Sequence, residues 1–144
     1  MYRHIIVPTD GSKLSLKAVK TAVRLAGMLG AEMTAMYVIP VYAPPVYGEA
    51  MIYIPDSGRN AAKRAGQKAL NGIERTAGNA GVKCRTVILA SGAPWEGIIK
   101  TAKARRADLI VMASHGRGGL SGLLLGSETT KVLTHSKIPV LVCR

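Results

Sequence analysis

The chain has no phenylalanine and a single tryptophan, and aromatic residues make up 4% of it. Its core must therefore be aliphatic, and the interleaved aromatics on which single-stranded nucleic acid stacks are missing. Acidic residues are scarce as well. Eight Asp and Glu stand against twenty Lys and Arg, a formal net charge of +12. So few carboxylates present no paired-carboxylate constellation of the kind used in acid–base hydrolysis. There is no Gly-x-Ser-x-Gly elbow, and Ser114 and His115 are neighbours in sequence rather than parts of a triad. Nothing here argues for catalysis beyond slow turnover. Cys84 and Cys143 are far apart and belong to no Cys-x-x-Cys pair, so two buried thiols in a reducing compartment are expected, with no metal site. No apolar run approaches the ~18 residues of a membrane span. Met1–His4 leads straight into Ile5–Val7 without a signal-peptide pattern. The expectation is a cytoplasmic protein without a membrane contact.

What is present is an alternation of strand-length apolar runs with segments of helical period. A length of 144 residues suits one domain over 1–144. Ile5–Pro8 reads as the first strand. Ser12 is placed to cap a helix whose inner stripe is Ser15, Ala18, Val19, Ala22, Val23, Leu25, Ala26 and Leu29, with Gly30 as its C′ residue. Met33–Ile39 is the second strand. A second helix runs over about 57–79 with Ala62, Ala65, Ala69, Ile73 and Ala77 inward, and Val82–Leu89 is the third strand. Pro94 starts a third helix, which buries Ile98, Ile99 and Ala102. Leu109–Ala113, a short helix over Ser127–His135 and a strand over Ile138–Cys143 complete the order. Strict alternation with continuously apolar strands predicts an α/β fold, a five-stranded parallel sheet with helices on both faces.

The stretch 109–127 carries the chemistry. A buried strand runs into a loop with Gly116, Gly118, Gly119, Gly122 and Gly126, which delivers Gly126–Ser127 to a helix start. Glycines allow close approach of backbone to a ligand, and the helix start offers free N–H groups and a positive dipole end, so phosphate is the expected anion. The dinucleotide fingerprint fails, because Ser121 stands where the third glycine is needed, and no P-loop lysine follows. In parallel sheets ligands lie beyond the carboxyl ends of strands where strand order reverses. If this loop marks the site, strand four borders strand one, which favours the order 3-2-1-4-5. The loop Pro8, Thr9, Asp10, Gly11, Ser12 then faces the glycine-rich loop across one crevice. Two readings of Asp10 stand side by side: a nucleotide or metal contact, or an Asx-type cap for the first helix. The same holds for His115, which either orients a phosphate or bonds locally. His4 and His135 read as surface or packing residues, and Trp95 as packing at a helix end.

With Pro8–Ser12 near its start, the chain resembles the universal stress protein family over essentially its whole length. Gly116, nine intervening residues and Gly126–Ser127 match the second half of that family's ATP motif, while Ala113 stands where its first glycine belongs. The resemblance implies a Rossmann-like fold of the adenine nucleotide α-hydrolase type, binding ATP (or AMP or ADP), with Mg or Mn held by the phosphates. It places Pro8 and Asp10 at the adenosine end, the Val38 backbone at the adenine edge, and Met112 and Ala113 beside the ribose. His115, Gly116, Gly126, Ser127 and Thr129 surround the phosphates. Ala113 crowds the sugar only if it needs positive φ. Glu128 brings a carboxylate near the phosphates, where it suits the helix dipole but competes with the ligand or calls for a cation. The last strand, Val140, Leu141, Val142 and Cys143, is implied to pair across a homodimer, which would remove an apolar edge.

Three functions follow. The favoured one is an ATP-binding, stress-response regulator acting as a homodimer. The alternative is a nucleotide-free dimeric interaction module for an unknown protein partner, favoured by Ala113 and Glu128. The third is a nonspecific nucleic-acid binder, resting on the charge. The stripes Lys13, Lys17, Lys20, Arg24 and Lys100, Lys103, Arg105, Arg106 read first as solvated helix faces. The long, Pro-rich stretch 40–56, with Tyr42, Tyr47, Met51, Ile52, Tyr53 and Ile54, is expected to fold over the nucleotide, across a partner subunit, or against the second helix.

Overall fold

A computed structural model of the chain describes residues 1–41, 56–117 and 125–144. The expectations for Tyr42–Ile54 and for Gly118, Gly119, Ser121 and Gly122 fall outside those residues. The elements in order are β1 (His4–Thr9), α1 (Lys13–Leu29), β2 (Glu32–Pro40), α2 (Asp56–Asn79), β3 (Cys84–Ser91), α3 (Pro94–Ala104), β4 (Leu109–Ala113), α4 (Ser127–His135) and β5 (Val140–Cys143). All strand pairs are parallel and the sheet order is β3-β2-β1-β4-β5, the order that the glycine-rich loop favours. Each crossover is helical, so right-handed connections put α1 and α2 on one face and α3 and α4 on the other.

The two cores match that division. On one face Val19, Ala22, Val23 and Ala26 of α1 and Leu70, Ile73 and Ala77 of α2 close over Ile5, Val7, Met33 and Val111. On the other, Ile98 and Ala102 of α3 and Val132 of α4 cover Ile6, Met36, Ile110 and Met112. Successive residues of β1 and β4 thus go to opposite cores, which explains their unbroken apolar runs. β3 is an edge strand, and none of its residues is fully buried.

Helix ends decide where the flanking strands begin. Gly30 (φ 64°) lets the Ala31 N–H reach the Ala26 carbonyl at 2.9 Å. Gly81 (φ 70°) does the same for Val82, whose N–H meets the Ala77 carbonyl at 2.9 Å. Val82 therefore belongs to the helix-closing turn, and the third strand starts at Cys84 rather than at Val82. Likewise the Ser136 hydroxyl accepts from the Ile138 N–H at 3.0 Å, holding a turn that delays β5 to Val140. Cys84 and Cys143 are half-buried rather than enclosed, and burial pushes the Cys84 thiol up.

The inner face of α2 differs from expectation at one position. Ala65 is exposed, and the buried stripe passes through Gly66 to Leu70, Ile73 and Ala77. A pattern search for apolar residues misses glycine, yet here glycine fits the Tyr37 ring. A Cβ at Gly66 would lie 2.7 Å from Tyr37 Cδ1. Gly66→Ala is therefore expected to destabilise the protein by about 1–3 kcal/mol through overpacking, despite alanine's better helix propensity. Gly72→Ala, where a Cβ meets nothing within 4 Å, should instead stabilise by about 0.5–1 kcal/mol. Urea midpoints of the two variants check the opposite signs.

Candidate functional site

β1 and β4 are hydrogen-bonded neighbours, but their ladder covers only Ile5–Leu109 and Ile6–Ile110. Beyond it the strands continue to Thr9 and Ala113 and open a crevice at the reversal of strand order. The loops after β1 and β4 face each other there, and Asp10 joins them. Its Oδ1 accepts from the Ser12 N–H at 2.9 Å, an Asx turn, and its Oδ2 accepts from the Arg117 N–H at 2.8 Å across 107 residues of sequence. Burial raises the Asp10 pKa, but the hydrogen bonds from Ser12, the Arg117 backbone and Ser15 outweigh it and hold the carboxyl below its ordinary value. Cap and bridge coexist, and the helix cap proper is Ser12, whose Oγ accepts from the Ser15 N–H at 3.2 Å. Thr9 is buried, its Oγ1 bonded to Ser15 Oγ at 2.8 Å and accepting from the Gly11 N–H at 3.1 Å.

Sequence offered no signal for the role of Arg117. Its N–H is fixed by Asp10, and its side chain lies over Gly11, whose added Cβ would stand 3.0 Å from Arg117 Nη2. Gly116 is hemmed in by the same carboxylate. A Cβ there would come within 2.6 Å of Asp10 Oδ2. At Gly126 the added Cβ would be 3.0 Å from His115 Cβ and 3.1 Å from His115 Cα. Neither glycine has positive φ, so close approach, rather than unusual backbone, is what these two positions require.

The start of α4 is pinned to the end of β4. The Gly126 N–H donates to the Ser114 carbonyl at 2.7 Å, and the buried Thr129 hydroxyl donates to the Ala113 carbonyl at 2.9 Å. Gly126 is the N-cap and supplies no side-chain cap. Among the described residues, no acceptor meets the N–H groups of Ser127, Glu128 and Thr129. They belong to the first turn of α4, the positive end of its dipole, beside the end of β4. Ser127 is exposed, and His115 is half-buried with Nδ1 3.2 Å from Ser114 Oγ, the local bond.

The remaining candidates are distributed unevenly. Pro8 and Ala113 are buried at the strand ends, and Ala113 has no positive φ, so its methyl imposes no backbone strain. Val38 lies one residue past the last β1–β2 pair, Thr9–Tyr37, and its half-buried side chain packs against the α3–α4 core. Met112 packs its side chain into the α3–α4 core. Glu128 is used inside the protein. Its Oε2 accepts from the Trp95 N–H at 2.8 Å and its Oε1 lies 3.4 Å from Lys131 Nζ. Since Ala93 gives α3 no side-chain cap, Glu128 caps α3 from another helix. Trp95 also stacks on His135, with ring centroids 4.6 Å apart, so both pack as expected. Glu128→Ala should cost about 0.5–2 kcal/mol as a lost cap, read from the denaturant midpoint, and a smaller loss would show the contact to be idle.

A depression of about 530 Å³ lies elsewhere, between β3 and α3 beside Trp95 and His135, and it shares no residue with the crevice. Among the described residues there is no cluster of three His, Cys, Asp or Glu side chains to hold a metal.

The family model for the universal stress proteins matches residues 1–144. The chain belongs to that family. Universal stress protein MJ0531 of Methanocaldococcus jannaschii is 38% identical, over all of this chain and 83% of its own. The solved structure of MJ0577 from the same organism matches with a TM-score of 0.85 at 29% identity, covering 99% of this chain and 96% of that one. A universal stress protein solved in complex with cAMP matches with a TM-score of 0.68 at 27% identity, over 98% and 95%. The likeness extends over essentially the whole of this universal stress protein.

Proposed function

We propose that this chain binds an adenine nucleotide, with ATP favoured, in the crevice between β1 and β4, and acts as a cytoplasmic, stress-linked regulator rather than as a dedicated enzyme. The observation that carries the reading is the group of open N–H donors at Ser127–Thr129, set at the reversal of strand order. The cAMP complex of a family member is consistent with a nucleotide. In this reading Pro8, Asp10 and the Val38 backbone flank the base and sugar, with Ala113 beneath the ribose. His115, Gly116, Gly126, Ser127 and Thr129 surround the phosphates. Mg or Mn would be held by phosphate oxygens. Hydrolysis, where it occurs, is slow in this reading, since both Asp10 carboxylate oxygens already accept backbone N–H groups.

The domain spans 1–144 and pairs with a second copy through β5. That strand is a sheet edge, and Leu141 on it is 39% exposed. An apolar edge of this kind is relieved by pairing. Native mass spectrometry of the purified protein tests both parts. A two-chain species retaining adenine nucleotide is the expected result. A nucleotide-free species that stays empty after addition of ATP and Mg²⁺ would leave the dimeric interaction module, and a single-chain species would remove the pairing.

A further inference from the structure

The α1–α2 layer has a property that the crevice does not use. On α1, Lys13, Lys17, Lys20 and Arg24 are exposed and lie opposite the stripe Ser15, Ala18, Val19, Ala22, Val23 and Ala26 that faces the sheet. On α2, Arg64, Lys68 and Arg75 are exposed and lie opposite Gly66, Leu70, Ile73 and Ala77. Because α1 and α2 cover the same core and touch each other, the two rows share one outward face. α1 contains no Asp or Glu at all, and among the described residues none of the seven cations is in an ion pair. Glu74 of α2 lies about 100° round the helix from Arg75, on the flank from which its charge acts on Cys84.

This pattern is unfavourable for the isolated protein. Lys13 is the first residue of α1, at the positive end of its dipole. The pairs Lys13–Lys17, Lys20–Arg24 and Arg64–Lys68 are like charges four residues apart, which repel on a helix. A polyanion reverses each of these interactions. We propose that the outward face of α1 and α2 docks the phosphate backbone of double-helical DNA without reading its sequence.

The geometry favours a duplex. Each row extends over twelve residues, eleven steps of helical rise or about 16 Å. Phosphates of one strand advance about 3.4 Å each, so a row spans some four or five of them. Packed helix axes lie about 8–10 Å apart, so two rows span a distance close to that across a groove of about 12 Å. Neither helix contains an aromatic residue, which removes the stacking platform that a single strand needs. It also removes the aromatic anchors of a membrane-surface helix.

Fluorescence anisotropy with a short, labelled duplex of mixed sequence, titrated between about 50 and 200 mM salt, tests this. If all seven cations reach phosphates, the slope of log Kobs against log[salt] is about −6. The variant K17Q/R24Q/K68Q should flatten it by about 2.7 and weaken binding by about tenfold or more at low salt. K100Q/K103Q/R105Q removes the same charge from the opposite layer and should leave the slope unchanged. K17R/K68R should bind like the parent. Should the triple fail to fold, K17Q and K68Q alone, each flattening the slope by about 0.9, decide the matter. Equal loss in both triples would reduce the effect to bulk charge and overturn the proposal. So would a wild-type slope near zero, or binding to anionic vesicles but not to the duplex.

Discussion

A hundredfold excess of ATP over its Kd should raise the unfolding temperature of the wild-type protein by roughly 5–10 °C, and Ser127→Asp should abolish that rise. The first number follows from linkage. Binding to the folded state alone contributes about 2.7 kcal/mol at that excess, and domains near this size move about 2–4 °C per kcal/mol. The second follows from the start of α4. The N–H groups of Ser127, Glu128 and Thr129, which meet no acceptor among the described residues, and the dipole behind them are what the phosphates would meet. A carboxylate at position 127 suits the same dipole, so the ligand-free variant should be as stable as the parent or slightly more so. It would nonetheless repel a triphosphate. Gly126→Asp should lose the rise too, but there an added Cβ is 3.0 Å from His115 Cβ, so instability and lost binding arrive together. Ser127→Asp separates them. Differential scanning fluorimetry with and without ATP and Mg²⁺ reads both, and an undiminished rise in Ser127→Asp would remove the phosphates from α4.

The fold was legible in the sequence because each element signals itself locally. Ser12, Gly30 and Pro94 mark helix ends, and the unbroken apolar runs at Ile5–Val7 and Leu109–Ala113 mark strands buried on both faces. Even the sheet order followed, from one glycine-rich loop and the rule that ligands lie where strand order reverses. What escaped was contact between distant side chains. Gly66 was invisible because the pattern counts apolar residues, whereas the position is set by the Tyr37 ring from another strand. The place of Glu128 beside a phosphate loop gives no hint of its partner, the Trp95 N–H on α3, thirty-three residues earlier. Asp10 offers a ligand contact or a local Asx turn, and the structure shows the local turn together with a bond to Arg117 that no spacing rule anticipates.

That bond is open to test by substitution and by acid. Asp10→Ala removes the acceptor for both the Ser12 and the Arg117 N–H groups. Hydrogen bonds to a charged group are worth about 1.5–3 kcal/mol when buried, and Asp10 is only partly so, which sets the expected loss near 2 kcal/mol at neutral pH. Asp10→Asn keeps an oxygen for Ser12 but turns an amide NH₂ toward the Arg117 N–H, donor against donor, so it should recover only part of the loss. The pH dependence has a definite sign. The folded carboxyl sits below its ordinary value of 3.8, so its contribution is complete above that value and disappears as pH falls through the lower, folded one. The gap between wild type and Asp10→Ala in urea midpoint should therefore be constant from about pH 7 to 5 and close on further acidification. A gap that widens in acid would mean that the carboxyl is held protonated, and the two loops would then lack the tie that fixes the crevice. If the tie holds as described, Asp10→Ala also leaves the loop after β4 to be ordered by the ligand itself. Its ATP-induced rise should then be smaller than the wild type's at equal ligand concentration, because part of the binding free energy goes into ordering that loop.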